Sequence, residues 1–235
     1  MTHDKFKAKE SELRDTLPPS PFYAIRMDGR AFHTFTRQFK APYSIVFMEA
    51  MNNAGLIAAT KVLAETELFY VQSDEITLIV KPKNNGQFSF GGRTEKVLSL
   101  TSSAATAGFM SACPEVEGFP IFDSRILLLE DKEEVIEYLD WRRLDARKNS
   151  ITMAAQYLYG DKPLKGKSTR ERLEMLEGTE FEKLPYDFYF GRIGHKVTRP
   201  KKVQPPNQEP FFVDRTVWEM TSAFQDTTRE IVESI

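Results

Sequence analysis

Apolar and polar residues along the first half of the chain follow two different spacings. Short apolar runs bounded by charged or turn-forming residues predict strands. These runs lie at residues 22–27, 68–71, 76–80 and 125–129. Residues 44–65 instead keep apolar positions at near-helical spacing, residues 93–110 can also form a helix, and a polar helix is predicted at about residues 4–15. After that first helix, the predicted order is β-α-β-β-α-β.

This order is typical of the ferredoxin-like fold, an α+β arrangement with an antiparallel sheet. Right-handed crossovers place the first and second strands parallel, and the third strand can insert between them, antiparallel to both. Asp28 lies at the exit of the first strand, and Asp74 and Glu75 lie at the entry of the third. Since the exit of one strand lies beside the entry of its antiparallel neighbour, these carboxylates are predicted to meet at one end of the sheet.

The second half of the chain has a different character. Residues 132–159 form a long helical pattern, and Ser168 to Glu171 resembles a capping box that opens another helix. Four prolines predict an irregular loop or linker at residues 199–210, followed by a last helix from Asp214 or Thr216 to the end. We place a boundary near residue 133, which leaves a mainly helical second portion.

Composition and charge exclude several classes of protein. The chain has 235 residues, of which 41% are hydrophobic and 28% charged, and its net charge is −2. These values are typical of a globular protein and exclude a polybasic nucleic-acid coat, although not a local basic patch. The one cysteine, Cys113, cannot form an internal disulfide. The polar start does not resemble a signal peptide, and no apolar run is long enough to span a membrane, so a cytoplasmic protein is expected.

Two acidic segments carry the candidate chemistry. Alone, Asp28-Gly29 and Gln72-Ser73-Asp74-Glu75 are each more typical of a polar turn than of an active site. Together, carboxylates facing one another at the end of a buried sheet would repel, which raises one pKa or recruits a cation. Hard oxygen ligands without a Cys or His pair favour Mg²⁺. Two such ions suit in-line phosphoryl or nucleotidyl transfer.

Three ordered blocks resemble one known family. The segments Arg26 to Phe35 (RMDGRAFHTF), Tyr70 to Val80 (YVQSDEITLIV) and Trp141 to Ser150 (WRRLDARKNS) are similar to signature blocks of the tRNA-His guanylyltransferase (Thg1) superfamily. The third block is closer to its Thg1-like branch. The resemblance implies a polymerase-palm-like catalytic domain at residues 1–132 and an RNA-handling portion at residues 133–235.

The resemblance also implies roles for individual residues. Asp28 and Asp74 would bind two Mg²⁺ ions together with the Gly29 carbonyl, and Glu75 would support this catalytic site. The residues implied in nucleotide binding are Gly29, Arg30, Ala31, Phe32, His33, Lys40, Ser73, Arg93, Lys96, Arg125 and Asn149. For His33 a packed or turn-capping role is an alternative, and for Arg93 and Lys96 an ordinary solvated surface is another.

Basic residues in the second half are candidates for RNA contact. Arg143 and Arg147 share a helix face, and no acid interrupts the stretch from Arg192 to Lys202. The candidates are Arg143, Arg147, Arg192, Lys196 and Arg199. A solvated helix face or loop is the alternative for both segments.

The activity that the resemblance implies is addition of nucleotides to the 5′ end of tRNA in the 3′-to-5′ direction, with GTP and ATP as substrates, by a homotetramer. The chain has Arg147-Lys148-Asn149-Ser150 where eukaryotic members carry His-Ile-Asn-Asn. This departure favours template-dependent repair of truncated tRNA after activation of the 5′ end by ATP or GTP. Addition of a single G to tRNA-His, a palm-type nucleotide cyclase and a catalytically silent RNA-binding module remain alternatives.

Overall fold

A six-stranded antiparallel sheet organises the part of the chain that the computed structural model describes, residues 2–12, 14–83, 86–206 and 209–235. The strands are β1 (Phe22–Gly29), β2 (Thr66–Gln72), β3 (Glu75–Val80), β4 (Phe122–Leu129), β5 (Arg192–Val203) and β6 (Phe211–Ser222). The helices are α1 (Thr2–Ser11), α2 (Phe32–Phe35), α3 (Ile45–Lys61), α4 (Thr94–Ala112), α5 (Lys132–Tyr159), α6 (Thr169–Leu176), α7 (Tyr186–Phe190) and α8 (Gln225–Ser234).

The order of the strands confirms the ferredoxin-like prediction. Across the sheet the order is β4-β1-β3-β2-β5-β6. Strand β3 lies between β1 and β2 and is antiparallel to both. Tyr23 is paired with Val80 at one end of β1, and Asp28 is paired with Glu75 at the other. The first four strands therefore take the predicted topology, and their register sets the position of the acidic residues.

Both faces of the central strands are covered by helices. Ile76 and Leu78 of β3 pack into a cluster with residues of α3 and α4, whereas Ile79 packs on the opposite face with residues of α5 and α8. All six residues of β3 are buried. The unbroken apolar run of this strand follows from that placement, because a strand buried on two faces has no solvent side to which polar residues could turn.

Three helices begin at a side-chain cap, and the sequence predicts one of these caps, the capping box of α6. The Ser44 side chain accepts a hydrogen bond from the Phe47 amide and opens α3. Asp131 caps α5 in the same way through the Glu134 amide. At α6 both halves of the predicted capping box between Ser168 and Glu171 are present. These local bonds satisfy amides that the first turn of a helix leaves without a partner.

Two predictions for the second half are wrong. Residues 199–210 are not one irregular loop, and no helix begins at Asp214 or Thr216. Strands β5 and β6 instead pair along all twelve of their residues, and the last helix begins at Gln225. Pro200 is tolerated because β2 pairs only with residues 192–195, so the outer part of β5 has a single neighbouring strand.

The boundary near residue 133 stays a prediction. Residues 68–71 of β2 pair with residues 192–195 of β5, so the sheet contains strands from both sides of that boundary. The second portion thus contributes four helices and two strands to the described structure. No helix in the described ranges has the length and apolar character needed to cross a membrane.

Candidate active site

The acidic residues from the two distant segments meet at one end of the sheet, as predicted. Asp28 is the next-to-last residue of β1 and is paired directly with Glu75, the first residue of β3. Asp74 lies in the two-residue turn between β2 and β3. The Gly29 amide donates to the Asp74 carbonyl oxygen at 3.1 Å, which ties the exit of β1 to this turn.

The turn that carries Asp74 is tight. Ser73 takes a φ of 47°, in the left-handed region that residues with a side chain rarely occupy. Hairpins with two-residue loops need such a backbone to match the twist of their strands. The tight turn therefore fixes Asp74 beside Asp28, where a longer and looser loop would leave it mobile.

The ionised form of the Asp74 carboxyl is disfavoured in this position. Burial raises the pKa of its carboxyl, and the negative charge of Asp28 raises it further. Arg125, the nearest cation of Asp28, lies 3.9 Å away and bonds instead to Asp123 at 2.8 Å. Among the described residues Asp74 therefore has no ion-pair partner, and Asp28 has only this long contact with Arg125.

Glu75, unlike Asp74, is paired with an arginine. Arg142 of α5 donates two hydrogen bonds of 2.7 Å to its two carboxylate oxygens, and also contacts Asp145 at 3.0 Å. Arg26 lies 3.8 Å from the same carboxylate. Burial raises the pKa of Glu75, and the bonds and charge of Arg142 oppose that rise. Glu75 thus belongs to a buried ion-pair network with Arg142 and Arg26, and its support of the site stays a prediction.

The oxygen atoms of Asp28 and Asp74 fit a divalent cation. Within the described ranges no group of three or more Asp, Glu, His or Cys side chains is arranged to hold a metal. Mg²⁺ does not need such a group, because it is usually held by one or two carboxylates together with water and substrate phosphates. The repulsion between Asp28 and Asp74 is the feature that a cation would relieve.

We expect Asp74→Asn to stabilise the metal-free protein at neutral pH. Because the native pKa of Asp74 is raised, the native state keeps this proton over a pH range in which the unfolded state has lost it. The free energy of unfolding therefore falls as pH rises through that range, and the amide removes this loss. Thermal melts in a chelator should show a higher midpoint for the variant at neutral pH, and a smaller difference in acid.

Asp123→Asn serves as the control for this measurement, since Asp123 lies on the neighbouring strand and pairs with Arg125. An equal gain in both variants, or a gain in Asp74→Asn that does not depend on pH, would contradict the interpretation.

Two cavities adjoin the carboxylates. One has a volume of about 530 Å³ and is lined by Asp28 and Asp74 together with Trp141, Asp145 and Asn149 of α5. The other, of about 140 Å³, is lined by residues that include Lys40, Ser44, Asp187 and Arg192. Ser73 lines both cavities. Three predicted nucleotide-binding residues thus lie near the carboxylates: Ser73 and Asn149 at the larger cavity, and Arg125 at Asp28. A fourth, Lys40, lines the smaller cavity.

The turn after β1 explains why glycine follows Asp28. A Cβ at Gly29 would lie 2.3 Å from the ring of Phe32, which is buried in the core. The residue of this turn with a left-handed φ is Ala31, at 56°, and not Gly29. The Gly29 and Arg30 amides bond to backbone oxygens, whereas those of Ala31, Phe32 and His33 have no acceptor among the described residues. These three amides are therefore available to an anion.

The side chains of this turn differ in their exposure to solvent, and therefore in whether they could contact a nucleotide. Phe32 is only 3% exposed and packs among aromatic rings, so its side chain cannot contact a nucleotide and only its amide can. Arg30 and His33 are exposed. The alternative of a packed histidine is wrong for His33.

Arg93 and Lys96 do not join this site. The start of α4 lies at the other end of the sheet, ahead of β1. There the Thr94 amide donates to the Asp15 carbonyl, and the Leu17 amide donates to the carbonyl of Gly92, just before the helix. From Tyr23 to Asp28 the strand rises by about 17 Å. Within one chain these two residues therefore cannot hold the same triphosphate as the turn after β1. Because α4 follows the far end of β3, the predicted order of elements already implied that Arg93 and Lys96 lie away from Asp28 and Asp74.

Two of the predicted RNA contacts are buried. Arg143 is 6% exposed and bonds to the Ala223 carbonyl, Asp140 and Tyr186. Arg192 is also 6% exposed, donates to Asn52 at 2.8 Å, and lines the smaller cavity. The prediction of a solvent-facing RNA contact is wrong for both, because each guanidinium lies inside the protein.

The other three predicted RNA contacts lie nearer the surface. Arg147 is exposed and lies over the ring of Phe190, with 5.5 Å between the guanidinium carbon and the ring centroid. Lys196 is half-buried and pairs with Glu67 at 3.1 Å, and Arg199 pairs with Glu219. Their role in RNA binding stays a prediction.

Sequence reasoning missed the functional placement of three side chains. Arg142 holds Glu75, Arg192 borders the smaller cavity, and Trp141 borders the larger one. The spacing of Trp141, Asp145 and Asn149 along α5 was the available signal, because residues four apart share a helix face. The basic stretch that begins at Arg192 marked this residue but not its place at the cavity, which depends on pairing between β5 and β2.

Comparisons with known proteins point to one family. The model of the Thg1 family, tRNAHis guanylyltransferase, matches residues 4–130. An uncharacterized protein of Acanthamoeba polyphaga mimivirus is 28% identical over 202 residues, which cover 74% of this chain and 68% of that protein. The tRNA(His) guanylyltransferase of Candida glabrata is 26% identical over 190 residues, which cover 76% of this chain and 78% of that enzyme.

Solved structures extend the match to almost the whole chain. A bacterial tRNA(His) guanylyltransferase (Thg1)-like protein in complex with GTP is similar with a TM-score of 0.78 and 26% identity, covering 98% of both chains. A structure of such a protein with ATP gives a TM-score of 0.79 and 26% identity, covering 100% of this chain and 98% of that one. The likeness therefore includes β5 and β6, beyond the range of the family model.

Proposed function

Because the chain belongs to the tRNA-His guanylyltransferase (Thg1) family, we propose that it adds nucleotides to the 5′ end of tRNA in the 3′-to-5′ direction. The protein is a nucleotidyltransferase. The observation that carries the finer proposal is the meeting of Asp28 and Asp74 at the larger cavity, with a smaller cavity on the neighbouring Ser73. That arrangement offers separate places for an incoming nucleotide and for the end of an RNA.

Two Mg²⁺ ions belong to this proposal. Asp28 and Asp74 would hold them, with the Gly29 carbonyl as a further oxygen ligand. When bound, the ions supply a lowered pKa for the attacking hydroxyl and stabilisation of charge on the phosphates. Arg125 is 3.9 Å from Asp28 and would lie beside the same phosphates.

The chain's own groups would then position the substrates. The amides of Ala31, Phe32 and His33 would donate hydrogen bonds to triphosphate oxygens, as successive backbone amides in a turn bind anions. The smaller cavity would take a base, with Lys40 and Arg192 at its wall. The larger cavity would take the 5′ end of the RNA, next to Asn149.

The proposed chemistry has two transfers. For a 5′-monophosphate end, a phosphate oxygen of the RNA bonds to the α-phosphorus of ATP or GTP, and pyrophosphate leaves. The 3′-hydroxyl of the incoming nucleoside triphosphate then bonds to the 5′ phosphorus of the RNA, its proton is lost, and AMP or GMP leaves. An RNA that already carries a 5′-triphosphate needs only the second transfer and releases pyrophosphate.

Template-dependent addition is the form of the activity that we propose. In the third block, only Asn149 matches the eukaryotic His-Ile-Asn-Asn, and it lines the larger cavity, while Arg147 and Lys148 are exposed. The similarity to a bacterial Thg1-like protein over 98% of both chains supports the same branch. Base pairing would then choose the nucleotide, so the protein needs to recognise backbone and shape. A homotetramer is part of the proposal.

We expect incorporation to follow the template base. The experiment offers four 5′-truncated tRNAs that differ only in the base opposite the missing position, each with one labelled nucleoside triphosphate at a time. The complementary nucleotide should be added in each case. Addition of G alone, whatever the opposing base, would contradict templating and indicate the guanylyltransferase activity.

A reaction without RNA tests the remaining enzymatic alternative. Labelled nucleoside triphosphate incubated with the protein alone should give no cyclic product. Formation of such a product, with no incorporation into any of the four RNAs, would overturn the proposal in favour of a nucleotide cyclase.

A further inference from the structure

Trp141 lies at the mouth of the larger cavity with half of its surface in solvent. It is 52% exposed and lines that cavity together with Asp28 and Asp74. Single exposed aromatic residues are common and need no explanation by themselves. Trp141 differs from such residues because it lines the same cavity as Asp28 and Asp74. Leu144 provides a comparison. Leu144 is 55% exposed on the same helix but does not line the cavity.

The indole ring is held in place from within the protein. The guanidinium carbon of Arg142 lies over it, 4.5 Å from the ring centroid. The ring of Tyr138 meets it edge-on, with 5.8 Å between centroids. Arg142 in turn binds both oxygens of Glu75, the residue after Asp74. A chain of direct contacts therefore fixes the indole relative to the carboxylates, and its uncovered side remains accessible.

A fixed aromatic ring in a polar cavity fits a nucleobase. Bases stack on exposed aromatic side chains in proteins that bind single-stranded ends, and this stacking tolerates any sequence because every base has a π-face. Asp145 and Asn149 follow Trp141 at intervals of four residues, so the same helix face places polar groups next to the ring. An amphipathic ligand with a flat ring and polar edges matches this surface.

We propose that Trp141 stacks on the base of the RNA's 5′-terminal nucleotide and thereby places the 5′ phosphate at Asp28 and Asp74. This inference rests on the proposed function and assigns the larger cavity to the end of the RNA. The incoming nucleotide would use the smaller cavity across the Ser73–Asp74 turn. Stacking without recognition of base identity is what templated addition requires, because the opposite strand makes the selection.

The first test separates RNA binding from nucleotide binding. The substrate is a 5′-truncated tRNA with a 5′-triphosphate, so that no activation is needed. Trp141→Ala should raise the KM for this RNA by roughly 5- to 150-fold. The KM for the nucleoside triphosphate and the melting temperature should be unchanged. Trp141→Phe should recover most of the RNA affinity, because it restores a ring.

Leu144→Ala is the matched control, since it removes an equally exposed apolar side chain from the same helix. It should leave both KM values unchanged. An unchanged KM for RNA in Trp141→Ala, or an equal rise in Leu144→Ala, would overturn the stacking role. Either result with normal incorporation leaves the proposed reaction standing, so the two proposals can fail separately.

Fluorescence gives a direct readout of the contact. The chain has two tryptophans, and Trp218→Phe leaves Trp141 as the only one. Phenylalanine suits position 218 because Trp218 packs against the ring of Phe69. The RNA should quench the emission of Trp141, and the same RNA with an abasic 5′-terminal nucleotide should not. Equal quenching by both RNAs would overturn the inference. A change of the emission with protein concentration alone would also overturn it, because it would indicate that a second copy of the chain covers Trp141.

Discussion

Replacing Asp28 or Asp74 by alanine is expected to reduce nucleotide incorporation by several orders of magnitude while the protein remains folded. Asp28 lies near the end of β1 and Asp74 in the turn between β2 and β3, and both are half-exposed, so loss of either side chain leaves no cavity in the core. What is lost is the oxygen pair that would hold the cations, and with it the stabilisation of charge in the transfer. Incorporation into truncated tRNA and thermal melting, measured on the same preparations, check both parts of the expectation.

Glu67→Gln is a matched control for these variants. Glu67 lies on β2 and pairs with Lys196 at 3.1 Å, away from the cavities that adjoin the carboxylates. This variant should retain nearly all activity. If Asp28→Ala and Asp74→Ala also retained it, the two-cation proposal would be wrong, and a catalytically silent RNA-binding protein would become the better interpretation.

Arg142→Met is expected to be the most destabilising of the substitutions considered. Arg142 and Glu75 are both buried and are joined by two hydrogen bonds of 2.7 Å. Removing one partner leaves a buried charge uncompensated, which costs about 3–5 kcal/mol. For a chain of this size the melting temperature should fall by roughly 6–20 °C. Arg26, at 3.8 Å, offers Glu75 a charge but no comparable pair of bonds.

The double variant Arg142→Met with Glu75→Met provides the control. Replacing both members of a buried ion pair by apolar residues of similar volume is often neutral, so most of the lost stability should return. The measurement is chemical or thermal unfolding of the two single variants and the double variant. If the double variant were as unstable as Arg142→Met, the loss would come from packing of the arginine stem instead of the unpaired carboxylate.

The parts of the fold that could be predicted from sequence depend on local patterns and on topology. Apolar runs marked the strands β1 to β4, and the handedness of crossovers placed β3 between its neighbours. From that order alone Asp28 and Glu75 were expected side by side, and they are direct partners in the sheet. The capping residues Ser44, Asp131 and Ser168 act within one turn of a helix, which is why a short sequence window was enough for the capping box at α6.

The parts that could not be predicted depend on partners far along the chain. Strands β5 and β6 contain many charged residues, and β5 contains Pro200, because outside residues 192–195 the two strands pair only with each other and lie near solvent. Nothing in the block Trp141 to Ser150 distinguishes Arg142, which binds Glu75, from Arg143, which binds the Ala223 carbonyl. The two arginines differ in their partners: Arg142 reaches Glu75 at the start of β3, whereas Arg143 reaches the residue that follows β6.

The limited contact between β5 and the rest of the sheet has a consequence for local motion. Residues 196–203 and 211–218 form a two-stranded ribbon, and such a ribbon is only marginally stable without further packing. Its base is held by Trp218 on Phe69 and by Lys196 on Glu67. Amide hydrogens toward its tip should therefore exchange with deuterated solvent much sooner than those of β3, through openings that leave the central strands closed. Opening of this ribbon would therefore leave in place the end of the sheet that holds Asp28 and Asp74.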